Sequence, residues 1–233
     1  ALGCVIFSLA MGYEWVRMSA SPLMKIFLPL AIIPILVTAI IGPLFGLTAI
    51  VFCAAVAGGL HPLPEERVQS AIGLAYVSGM TLALFLLREG PWDGVAAALI
   101  VMGMVWGSDT AAYFTGRTFG GPSLTPESPS KTWSGAIGAV IFTMVCGVVA
   151  AQITGGSLIV WIVIGFLISV FAQMGDLAES RIKRSYGVKD ASRLIPGHGG
   201  VMDRVDGLGI VCGATVLLFY ALPVLTEQLG LAA

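Results

Sequence analysis

Residues 26–59 contain no charged side chain, and that one stretch decides what solvent the chain can fold in. It is longer than the roughly 20 apolar residues that cross a hydrocarbon core about 30 Å thick. Gly42-Pro43 interrupts it near the middle, and a Gly-Pro pair is turn chemistry, so the stretch reads as two spans that double back. The rest of the chain repeats the theme, with apolar runs near 1–13, 26–41, 44–59, 71–87, 94–113, 133–153, 157–175 and 207–226. The expected fold class is therefore all-α, a polytopic integral membrane protein with about eight transmembrane helices. The chain opens at Ala1 inside an apolar run, with no basic segment ahead of it. That leaves room for one further amino-terminal span and makes eight a minimum.

Only 11% of the 233 residues are charged, against about 25% in soluble domains. Fifteen of the 25 charged residues (12 basic plus 13 acidic) lie between Asp109 and Asp206. Two regions follow, an amino-terminal set of membrane helices over 1–93 and a region over 94–233 that carries the polar connections 114–132 and 176–206. Every second connection holds most of the Lys and Arg, and the segment 176–206 alone holds six. The positive-inside rule places those connections together on the cytoplasmic side. A net charge of −1 argues against a nucleic-acid partner, which calls for clustered basic residues. Cys4, Cys53, Cys146 and Cys212 sit singly in apolar runs without CxxC or Cys/His spacing, as packing residues do.

Asp109, in Trp106-Gly107-Ser108-Asp109-Thr110-Ala111-Ala112-Tyr113, falls within or near the end of a span, where an unpaired carboxylate costs several kcal/mol. It is either satisfied by a neighbouring helix or part of a polar wall, and Arg117 two turns later is a candidate partner. Ser128-Pro129-Ser130-Lys131-Thr132 precedes a helix start. Free N–H groups there, with hydroxyls and one Lys, suit a phosphate, although an N-cap beside a snorkelling Lys has the same composition. Asp176, Glu179, Ser180, Lys183 and Arg184 have the spacing of one helical face. Lys189-Asp190 follows, then Pro196-Gly197-His198-Gly199-Gly200, where glycines let consecutive N–H groups form an anion nest. Asp203 and Asp206 would share a helical face and, with Asp176, offer the oxygen-rich setting Mg2+ prefers. Carboxylates for a hard cation amid Lys and Arg are the equipment of phosphoryl and nucleotidyl transfer. Neither a Walker A sequence nor GxGxxG is present.

The run from Ser180, Lys183 and Arg184 through Lys189-Asp190 to His198, Gly199, Gly200, Asp203, Arg204 and Asp206 resembles the signature of the phosphatidate cytidylyltransferase family. Asp176 in Gly175-Asp176-Leu177, Asp109 through Tyr113, and Ser128-Pro129 with Lys131-Thr132 are similar to that family's other polar blocks. The first 100 or so residues match only in hydrophobicity. The resemblance implies a Mg2+-dependent membrane enzyme, dimeric, that converts CTP and phosphatidate to CDP-diacylglycerol and pyrophosphate. Its setting would be the bacterial inner membrane, with the site on the cytoplasmic side.

In that reading Asp176, Asp203 and Asp206 hold Mg2+, with room for a second, monovalent cation. Lys183, Arg184, Lys189 and Arg204 bind phosphates, and His198 positions or contacts a phosphate. The substrates are further bound by Asp109, Tyr113, Arg117, Ser128, Lys131, Thr132, Glu179, Ser180, Asp190, Gly199 and Gly200. Two rivals remain at the level of sequence. One is a CTP-dependent polyprenol-type kinase, or a transferase with another lipid acceptor. The other is a transporter, for which intramembrane Asp109 and Gly/Pro-broken spans also speak.

Overall fold

The computed structural model describes residues 2–125, 128–192, 194–195 and 199–232. It is nearly all helix, in two compact units: residues 1–86 with 182–205, and residues 87–181 with 206–233.

The first unit contains α1 (Leu2–Met18), α2 (Met24–Ile40), α3 (Pro43–Gly59) and most of α4 (Arg67–Glu89). Gly42 supplies the turn between α2 and α3, with φ +135°, and Pro43 opens α3 at a position where its missing N–H costs nothing. Ser8 Oγ in α1 and Ser78 Oγ in α4 both donate to the Ala31 carbonyl of α2, at 2.9 and 3.4 Å. Trp15 packs edge-on to Tyr186 and tilted against Tyr76. Helix α1 runs past the expected span end at residue 13, so Glu14 and Arg17 are helical rather than part of a connection.

The second unit contains α5 (Gly94–Phe119), a two-stranded antiparallel hairpin of β1 (Ser123–Thr125) and β2 (Ser128–Thr132), α6 (Trp133–Thr154), α7 (Leu158–Ser185, as far as Arg181), α8 (Asp206–Ala221) and α9 (Pro223–Gln228). The hairpin is absent from the all-α expectation. Helix α5 also reaches six residues beyond its expected end at 113, which moves Arg117 from a connection into a helix. Small residues bring these helices into close contact, as in membrane interfaces where lipid offers no competing hydrophobic drive. A Cβ on Gly135 of α6 would lie 2.8 Å from the Ala112 carbonyl of α5, and one on Gly175 of α7 would lie 2.7 Å from the Asp206 carbonyl.

Among the described residues, four helices are long and apolar enough to cross a membrane: Pro64–Glu89, Gly94–Phe119, Trp133–Thr154 and Leu158–Ser185. Met24–Ile40, Pro43–Gly59 and Asp206–Ala221 are apolar but shorter. Large apolar side chains such as Ile40, Leu44, Phe119 and Ile153 point outward, each at least 70% exposed. Such a surface invites association in water and is the solvated face in lipid.

Candidate active site

The polar residues of the second unit converge on a cavity of about 420 Å3. Helix α5 contributes Ser108, Asp109 and Tyr113, the hairpin Ser130, Lys131 and Thr132, and α7 Gln173 and Asp176. At 1.5 Å per residue, Asp176 lies about 27 Å along α7 from Leu158. The run from Leu158 to Asp176 is thus nearly as long as a hydrocarbon core of about 30 Å is thick.

Each wall has a local cause. Thr132 N-caps α6 by accepting from Gly135 N at 3.2 Å, so the capping role allowed by the sequence is realised. That cap fixes the preceding residue, Lys131, whose Nζ lies 3.0 Å from Asp176 Oδ2. The N-cap and the ionic role of Lys131 therefore coexist. Gln173, one helical turn before Asp176, donates to Ser169 Oγ at 3.0 Å and to the Ala136 carbonyl of α6 at 3.4 Å. Arg117 does not serve Asp109 as a partner: its guanidinium donates to Tyr113 Oη at 2.9 Å and lies over that ring. The charges nearest Asp109 are Asp176 and Lys131. Ser128 lies at the start of β2, outside the residues that line the cavity.

The second oxygen of Asp176, Oδ1, is buried and has no hydrogen-bond partner among the described residues. A buried carboxylate oxygen without a donor is costly, and a cation is the natural complement. Asp206, at the start of α8, accepts from Gly207 N at 3.0 Å and lies within electrostatic reach of Asp176 and of buried Glu179. The close approach needs Gly207, because a Cβ there would sit 3.0 Å from Asp176 Oδ1. Among the described residues no three His, Cys, Asp or Glu side chains converge closely enough to hold a metal outright. Asp176 with Asp206 still fits Mg2+, which keeps several waters and completes its shell with substrate phosphates. Ser180 is half-buried, one turn beyond Asp176 on α7.

The remaining residues of the expected site belong to the first unit. Lys183 and Asp203 form a buried ion pair, Nζ to Oδ1 at 2.7 Å, with 10% and 8% of their side chains exposed. Asp203 also accepts from Ala191 N at 3.0 Å and Gly200 N at 2.8 Å, so both its oxygens are engaged. Arg184 and Arg204 are exposed, and Arg184 donates to the Val188 carbonyl at 3.2 Å. Lys189 and Asp190 line a cavity of about 690 Å3 together with Tyr13 and Arg17 of α1. Gly199 has φ +85°, a left-handed conformation that glycine permits. His198 lies outside the described residues.

Of the expected glycine nest, Pro196, Gly197 and His198 lie outside the described residues; just after it, two backbone N–H groups hold an anion that comes from the chain itself. Glu14 of α1, fully buried, accepts from Val201 N, Met202 N and Ser192 Oγ, each at 2.7 Å. Sequence reasoning passed over Glu14, although a lone carboxylate at the end of an apolar run was its signal.

Apolar helices long enough to cross a bilayer, with a hydroxyl-lined cavity that holds two carboxylates and a lysine, define a helical membrane-type protein with a polar site. The model of the cytidylyltransferase family matches residues 1–222, and the chain belongs to that family. Similar curated proteins include the phosphatidate cytidylyltransferases of Brucella melitensis biotype 1, 38% identical over 95% of this chain and 85% of the relative, and of Brucella suis biovar 1, 39% identical over the same shares. The phosphatidate cytidylyltransferase of Haemophilus influenzae is 38% identical over 64% of this chain and 54% of the relative.

Proposed function

We propose that the chain is an inner-membrane phosphatidate cytidylyltransferase, acting at the cytoplasmic face as a homodimer, that transfers CMP from CTP to phosphatidate. The observation that carries this is the Lys131–Asp176 pair at the wall of the cavity, with Asp176 Oδ1 buried and lacking a donor. It supplies a cation for phosphate and an oxygen for a metal in one place.

In the proposed reaction a phosphate oxygen of phosphatidate attacks the α-phosphorus of CTP. A new P–O bond forms, the bond to the bridging oxygen of the β-phosphate breaks, and pyrophosphate leaves. The second phosphate pKa near 6 leaves the nucleophile mostly ionised at pH 7, so no strong base is required. Mg2+, held by Asp176 and Asp206, would neutralise charge developing toward pyrophosphate. Lys131 binds a phosphate oxygen while keeping Asp176 oriented, and Thr132 and Ser130 add hydroxyl donors beside it. Asp109 and Tyr113 form the α5 wall. Lys183 holds Asp203, Lys189 and the exposed Arg184 and Arg204 supply positive charge for a lipid or nucleotide phosphate, and Asp190 lines the same cavity as Lys189. Acyl chains stay in lipid while the head group meets these basic residues.

The test is incubation of the purified protein with labelled CTP, Mg2+ and phosphatidate. The expected result is lipid-linked CMP with equimolar pyrophosphate, lost on chelation by EDTA and restored by Mg2+. Asp176→Asn should remove turnover while the protein stays folded. Release of CDP with a phosphorylated lipid would overturn the transferase in favour of a kinase.

A further inference from the structure

Helix α1 lies outside the polar motif blocks, yet it carries a carboxylate with three hydrogen-bond donors. Glu14 is fully buried and takes three donors, two of them the consecutive N–H groups of Val201 and Met202. Consecutive N–H groups aimed at one point make an anion site, and here the anion is a side chain 187 residues earlier in sequence. Gly200 is shaped to it, because a Cβ there would lie 2.8 Å from Glu14 Oε1. Gly200 N itself turns the other way, to Asp203 Oδ2 at 2.8 Å.

These contacts join into one frame. Glu14 holds Ser192, Val201 and Met202, and Asp203 holds Ala191, Gly200 and Lys183. Lys189 and Asp190, next to this frame in the chain, line the 690 Å3 cavity together with Tyr13 and Arg17, one on each side of Glu14 in the sequence. Arg17 Nη1 donates to Tyr13 Oη at 3.0 Å, which presents the guanidinium along that wall.

We infer that Glu14 is a positioning residue for cytidylyl transfer: its carboxylate holds Ser192, Val201 and Met202 in the conformation that presents Lys189 with Arg17 in one cavity for a substrate phosphate. The inference rests on the reaction proposed above. It explains why a chain that buries so few charges buries this one, since three hydrogen bonds offset much of the desolvation cost.

The experiment compares wild type, Glu14→Gln, Glu14→Asp, Gly200→Ala and, as a control in the same helix, Ser8→Ala. Ser8 donates to the Ala31 carbonyl, and its loss weakens α1 packing without removing a hydrogen bond to Ser192, Val201 or Met202. Steady-state CMP transfer is read against both substrates, with thermal unfolding in detergent and hydrogen exchange at the amides of Val201 and Met202. Glu14→Gln should lower kcat/KM at least tenfold, because its NH2 cannot accept from the N–H groups it faces. Gly200→Ala should do the same, Glu14→Asp should recover part of the loss, and Ser8→Ala should keep wild-type kinetics at permissive temperature. Exchange at 201 and 202 should rise in Glu14→Gln and stay low in Ser8→Ala. Wild-type kinetics in folded Glu14→Gln would overturn the inference, as would equal losses in Glu14→Gln and Ser8→Ala. An inactive wild type would count against the reaction alone, and unchanged exchange at 201 and 202 would then still overturn the positioning role.

Discussion

Lys131–Asp176 and Lys183–Asp203 look alike on paper and differ in the property that sets their worth. Lys131 is about one-third exposed, whereas both members of the second pair are at most 10% exposed. An accessible ion pair contributes about 0–1 kcal/mol, while removing one partner of a buried pair costs about 3–5 kcal/mol because the other charge is stranded. Lys131→Met should therefore keep a near-wild-type unfolding temperature and lose CMP transfer by a hundredfold or more. Lys183→Met should unfold several degrees lower, with Asp203 left in a buried pocket. Thermal scans paired with turnover on the same preparations separate the two. A Lys131→Met protein as unstable as Lys183→Met would show that the first pair is structural.

At the scale of elements, glycine sets the distance between helices. Gly175 lets the start of α8 approach α7 and so brings Asp206 beside Asp176. Gly103 of α5 has open space where a Cβ would go. Alanine at Gly103 should be neutral or stabilising by about 0.5–1 kcal/mol, since glycine is a poor helix former. Alanine at Gly175 must push α8 away, and CMP transfer should fall tenfold or more; equal activity in the two variants would refute the spacing argument. These elements were unequally legible. Apolar runs announced α2 through α8 because hydrophobicity is written locally, and Gly42-Pro43 marked its turn. The hairpin was not legible, since Ser128-Pro129-Ser130 carries no strand pattern. The polar motif residues from Asp109 to Asp206 were recognisable as types. Which of them meet depends on packing between sequence-distant helices, as Lys131 with Asp176 shows. Glu14 was hidden for the same reason: its donors lie at the other end of the chain.

The whole molecule has an orientation that follows from helix length. Helix α6 spans about 33 Å at 1.5 Å per residue, close to the thickness of the hydrocarbon core. A crossing α6 would put the residues before Trp133 and after Thr154 on opposite faces, and α7 returns the chain to the hairpin side, where Lys131 meets Asp176 at 3.0 Å. The basic residues Lys183 and Arg184 occupy the last turn of α7, and from the positive-inside rule we propose that the hairpin side faces the cytoplasm. In a background with the four native cysteines replaced, Ser123→Cys and Ser185→Cys should stay unlabelled by an impermeant maleimide in intact spheroplasts and react after permeabilisation. Ser157→Cys, in the connection from α6 to α7, should label in both. Labelling of Ser123→Cys from outside would invert the orientation and separate the cavity from its nucleotide. Equal labelling of Ser123→Cys and Ser157→Cys in intact cells would show that α6 does not cross at all.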